Sequence, residues 1–85
     1  MEEEVRSSFI RQRDEAIEVE YLDAINDETN IHILRYRDKY LGGVHFEVVQ
    51  YFPGYSCEIE KLFSATMYEK AFKWAVNHFG WGAVA

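Results

Sequence analysis

Along the first third of the chain Ile17, Val19 and Tyr21 take turns with Glu18 and Glu20. A period of two predicts a strand over Ala16–Leu22 with one apolar and one wet face. The polar run Asn26-Asp27-Glu28-Thr29-Asn30 has the chemistry of a turn, and Ile31–Tyr36, rich in β-branched and aromatic residues, reads as a second strand. Gly42-Gly43 marks the next turn. In Val44–Phe52 both alternating sets are largely apolar, which places that strand inside a sheet, and Pro53-Gly54 closes it. Tyr55–Phe63 supports two patterns. Tyr55, Cys57 and Ile59 alternate with Ser56, Glu58 and Glu60 as in a strand, whereas Ile59, Leu62 and Phe63 also fit a helical face; we read it as a short fourth strand.

Helical spacing brackets these strands. Val5, Phe9 and Ile10 recur within Glu2–Arg13, with acidic residues leading and arginines following, an order that suits the helix dipole. So short a helix needs packing to hold it, supplied here by Phe9 and Ile10. Thr66-Met67-Tyr68-Glu69 matches a capping box and starts a helix over Met67–Phe79 that Gly80 stops in a left-handed conformation. The expected fold class is α+β: a short N-terminal helix, an antiparallel sheet of three or four strands, and a C-terminal helix packed on one face (αβββ(β)α). Short links favour a meander and two layers. Ile17, Val19, Tyr21, Ile33, Phe46, Val48, Phe72, Ala75 and Phe79 are the expected core.

Composition narrows this picture. Eighty-five residues hold one domain, spanning 1–85, and 48% apolar content is too high for disorder. Cys57 is the single cysteine, so no internal disulfide forms and a reducing compartment is expected. The start Met1-Glu2-Glu3-Glu4 lacks the basic and apolar regions of a signal peptide, and no apolar stretch is long enough to span a bilayer, so the expected location is the cytoplasm, with no membrane partner. A net charge of −6 disfavours phosphate neutralisation and points to a protein partner, one with a basic groove included.

Chemistry is sparsely represented. His32, His45, His78 and Cys57 are the groups suited to acid–base or nucleophilic work, and none sits in a catalytic motif. His32 and His45 lie on neighbouring strands where they can face one another. His32, His45, Glu47 and Cys57 make a conceivable metal set but lack the short spacing that fixes ligands on one turn, so no metal or cofactor is expected. The expectation is a chain that is not an enzyme.

Three surface features remain. From Asp14 through Glu28 there are seven acidic residues and no Lys or Arg. Glu18 and Glu20 should project about 6.6 Å apart, comparable to successive phosphates, with Asp23, Asp27 and Glu28 extending the patch. Arg35, Arg37 and Lys39, interleaved with Tyr36 and Tyr40, form a basic aromatic island that suits nucleic acid, or else pairs across the sheet with Glu18, Glu20 or Glu47. On the last helix Met67, Trp74 and His78 widen the apolar arc beyond what one sheet face needs, and with Trp81 they form an interface candidate, with Trp74 alternatively packing under the N-terminal helix or the Trp81 tail.

No motif names a family. The element order resembles double-stranded-RNA-binding domains, although the lysine cluster those carry at the start of the last helix is replaced by Thr66, Glu69, Lys70 and Lys73. With its acidic surface it also looks like some small phage-encoded anti-CRISPR proteins, a resemblance that implies inhibition by occupying a nuclease's DNA site. The leading expectation is a non-enzymatic interaction protein, most concretely an acidic nucleic-acid mimic of the phage anti-defence type. A small homo-oligomeric accessory subunit with an aromatic interface and a weak RNA-binding module are the alternatives.

Overall fold

The computed structural model describes residues 1–26 and 28–81. Helix α1 (Glu2–Gln12) leads into strands β1 (Ala16–Asn26), β2 (Ile31–Asp38), β3 (Val44–Phe52) and β4 (Glu58–Ala65), and helix α2 (Tyr68–Phe79) follows. The strands form one antiparallel meander in the order β1-β2-β3-β4. The expected α+β architecture is thus what the chain adopts, with the fourth strand present and β3 inside the sheet.

The layering differs from the two-layer expectation, because β2 and β3 are apolar on both faces. Leu34, Tyr36, Val49 and Tyr51 point to one side, where they pack with Val5 and Phe9 of α1. Ile31, Ile33 and Val48 point to the other, against Ala71 and Ala75 of α2. A strand apolar on both sides needs cover on both sides, so the helices take opposite faces and the domain has three layers. Of the expected core, Val19, Ile33, Val48 and Ala75 are buried, while Tyr21, Phe46, Phe72 and Phe79 are partly buried around them. Ile17 is an exception at 39% exposed, and Ile10, expected to dock α1, is also exposed.

The reason for Ile17 is a β-bulge. Ile17 pairs with Arg37 but the next paired residue of β1 is Glu20, with Arg35. The extra residue is accommodated by Glu18 at φ 52°, a left-handed conformation that a non-glycine residue adopts only where its surroundings hold it. Cross-strand partners share a face, so Ile17 and Glu20 sit on the same side as Arg35 and Arg37 while Val19 turns under α1. The clean alternation of the sequence is therefore broken in the middle of the strand.

Helix α1 buries few apolar side chains and is fastened by polar ones. Arg6 Nε donates to the Val19 carbonyl at 2.9 Å. Gln12 uses both ends of its amide on the start of β4, donating to the Cys57 carbonyl (2.7 Å) and accepting from the Ile59 N–H (3.1 Å). Just past the helix, Arg13 forms a two-point ion pair with the fully buried Glu47 of β3. Burial pushes the Glu47 carboxyl up, and the Arg13 hydrogen bonds and charge oppose that shift. The same contacts blunt the sheet edges: β1 carries three register shifts and Arg6, and β4 carries Gln12, a bulge and Lys61.

Helix α2 begins one residue later than the capping box implies. Met67 is the N-cap and makes no side-chain cap hydrogen bond. Its first turn is fixed instead by Tyr68, whose ring packs edge-on against Phe46 and whose hydroxyl donates to Asp23 of β1. At the other end Gly80 adopts φ 77°, ψ 159°, a region reserved for glycine but not the left-handed helical one, and donates its N–H to Val76. The helix stops where expected, by a different turn.

Because Glu47 is desolvated and holds Arg13 at two points, Glu47→Ala should cost about 3 kcal/mol, the low end for a broken buried pair, since Arg13 keeps its longer contact to Glu15 at 3.5 Å. The Arg13→Leu/Glu47→Leu double variant should recover most of that loss. Urea unfolding of the three proteins measures both; a single-variant loss below about 1 kcal/mol would place the pair in water.

Candidate functional site

The strand register brings two of the surface features, the acidic strand and the basic island, together towards the β2–β3 hairpin. Glu18 accepts from Arg37 Nε at 2.8 Å, Glu20 lies 3.7 Å from Arg35, and Asp14 lies 3.9 Å from Lys39. The acidic strand and the basic island are thus each other's counter-ions, and the carboxylate of Glu18 is held below the usual range by the Arg37 hydrogen bond and charge. Glu47, the other considered partner for these arginines, is taken by Arg13.

The turn itself is built by Asp38, whose Oδ1 accepts from the amides of Tyr40 and Leu41, both at 2.8 Å. The Leu41 and Tyr40 hydrogen bonds lower the Asp38 pKa. Gly42, at φ 77°, completes the reversal and donates to the Asp38 carbonyl. This geometry leaves Tyr40 at 70% and Leu41 at 83% exposed, with Ile17 beside them on β1. Met67 belongs to the same end: it follows Ala65, which pairs with Phe46 two residues after Val44, and it too is exposed. Exposed apolar residues therefore occur at this end on β1, on the β2–β3 turn and after β4. Tyr40, Leu41 and Ile17 were not among the sequence candidates. The available signal was a Tyr-Leu pair directly before Gly42-Gly43, where a turn normally places polar residues.

The remaining candidates lie elsewhere. Asp23 is engaged by Tyr68, Glu28 is exposed, and Asp27 lies outside the described residues. Trp74 packs under neither α1 nor Trp81. Its indole stacks on Phe63 of β4 (5.0 Å, 7°) and is covered by His78 (4.0 Å, 22°), whose Nδ1 hydrogen-bonds to the Trp74 carbonyl; Trp81 packs against Phe72 instead. The wide arc of α2 is thus consumed in covering the β4 side of the sheet. Trp74 is half-buried in this packing, and His78 and Trp81 are exposed.

The histidines do not meet. His32 pairs in register with Val49, and His45 with Tyr36 four residues along β2. His32 is buried against Tyr21, sharing a hydrogen bond of 2.8 Å through Nδ1, and His45 lies on the Tyr36 ring. Cys57 is at the far end of the α1 face, donating to the Gly54 carbonyl in a shallow cavity of about 270 Å³ with Glu3, Glu4, Ser7, Ser8, Arg11 and Tyr51. Among the described residues no three His, Cys, Asp or Glu side chains are grouped to hold a metal ion, and no helix is long and apolar enough to cross a membrane.

Two variants test these placements. Trp74→Ala should cost about 3 kcal/mol, the low end for removing a packed large ring, without altering association state; this is read by urea unfolding and sedimentation. Burial, aided by Asp23, pushes the Tyr68 hydroxyl up to about 12. Its contribution to stability should therefore be complete below about pH 10 and be lost as pH rises towards 12. Tyr68→Phe should remove the last-ionising tyrosine from the ultraviolet titration and abolish that part of the alkaline loss.

Comparison with known proteins gave no match to a family model, to a curated protein or to a solved structure.

Proposed function

We propose that this chain is a non-enzymatic protein-interaction module whose contact surface is the hairpin end of the sheet. One observation carries the reading: the adjacent Tyr40 and Leu41 of the β2–β3 turn are 70% and 83% exposed, at the end of the sheet where Ile17 on β1 and Met67 after β4 are also exposed. Two adjacent large apolar side chains left in water on one turn suit a contact surface. The nearby Arg37–Glu18 and Arg35–Glu20 pairs offset one another's charge, so a contact led by Tyr40 and Leu41 should tolerate salt.

The acidic-mimic reading draws on a different surface. With Glu18 and Glu20 offset by Arg37 and Arg35, their strand is a poor stand-in for a phosphate backbone. The carboxylates that favour mimicry are Glu2, Glu3 and Glu4 on α1 and Glu58 and Glu60 on β4, all exposed. Glu3 and Glu4 line a cavity with Cys57, which adjoins Glu58.

Affinity capture in low and high salt separates the two. A partner retained in high salt and lost by Leu41→Ser is the expected result. A partner lost in high salt, insensitive to Leu41→Ser and displaced by DNA or RNA would overturn the hairpin-end reading in favour of mimicry.

A further inference from the structure

We infer that the hairpin end docks into an apolar pocket with a basic rim on a partner protein, which deepens the proposed function and rests on its choice of surface. Between Asp38 and Gly42 the chain reverses within one turn, and Tyr40 and Leu41 stand side by side in water at its tip. Two side chains on a tight turn offer too little area for a flat interface. An apolar pair of this kind gains most from a pocket that takes it out of water, as buried anchors do at other interfaces. The charge around the tip then sets the sign of the pocket's rim.

The segment before β1 is tied directly to this turn. The Lys39 amide donates to the Glu15 carbonyl at 2.8 Å, and the Tyr40 hydroxyl donates to Asp14 at 3.4 Å. These bonds bring Asp14 and Glu15 beside the turn that Asp38 builds. Lys39, the cation of the turn, lies 3.9 Å from Asp14 and 5.1 Å from the centre of the Tyr40 ring, so its charge goes to Asp14. Glu15 shares Arg13 with Glu47, which holds that guanidinium at two points. Asp38 accepts from the Leu41 and Tyr40 amides, which keep it ionised without cancelling its charge. Neither Glu15 nor Asp38 has a cation to itself, and cations on a partner's rim would complete both. The same surplus opposes a second copy, whose tip carries the same sign, and opposes nucleic acid. Rim charges act mainly on encounter and partner choice, while the apolar pair holds the contact in salt.

Three β-cyclodextrins that share one apolar cavity and carry an amino, a neutral or a sulfobutyl rim serve as model pockets. Their binding is followed by amide chemical shifts of the full labelled chain. The amino host should shift Tyr40 and Leu41 and bind there at least about threefold tighter than the neutral host, with the sulfobutyl host weakest, as two exposed charges allow. High salt should erase that order. So should Asp38→Asn/Glu15→Gln, in which an amide oxygen still accepts from the turn and only the charges are gone. Leu41→Ser should weaken all three hosts alike. Equal binding by the three, or a preference for the sulfobutyl host, would overturn the basic rim and leave Tyr40 and Leu41 as the contact. Hosts that shift neither residue would overturn the inference together with its surface. Tip shifts that grow with protein concentration alone would place a second copy there and overturn a basic-rimmed partner.

Discussion

Strands β2 and β3 carry apolar side chains on both faces, and the rest of the domain follows from covering them. With two helices among the described residues, each face receives one. Helix α2 meets this demand with aromatic bulk: Trp74 lies flat on Phe63, and Tyr68 reaches Phe46 and Asp23. Helix α1 has only Val5 and Phe9 to bury and meets it with polar fasteners, of which the Arg13–Glu47 pair is the deepest. A buried ion pair is a weak source of net stability but a strong penalty on any arrangement that separates its members. It therefore fixes where α1 sits more than it strengthens the fold.

Covering both faces leaves one end of the sheet unserved. Neither helix extends over the β2–β3 hairpin, and the bulge at Glu18 turns Ile17 outward beside it. The bulge also aligns Glu18 and Glu20 with Arg37 and Arg35, which converts two oppositely charged sequence segments into a neutral ladder. The local chemistry of this end is thus the product of backbone geometry acting on an ordinary alternating strand.

That geometry marks the boundary of what the sequence makes legible. Periodicity is enough to place the strands and α2, because burial on one or both faces is written directly into the order of residues. It also indicates that Arg35 and Arg37 can pair with Glu18 and Glu20. The bulge is not legible: Glu18 at φ 52° has no glycine to announce it, and an unbroken alternation assigns Ile17 to the core. The Arg13–Glu47 contact is equally silent, since it joins residues 34 apart with no local pattern between them. Trp74 is the opposite case. Its breadth of apolar arc is real, but the ring that completes it, Phe63, comes from β4 and is visible only in three dimensions.

The central claim is that the hairpin end, rather than the acidic surface of α1 and β4 or the aromatic flank of α2, is the contact surface of this domain. Amide chemical-shift mapping of the isotopically labelled chain against the protein it captures tests it most directly. Shifts at Tyr40 and Leu41 on addition of that protein, with Glu3, Glu58 and Trp74 quiet, are the predicted result. Shifts confined to α1 and the start of β4 would contradict it.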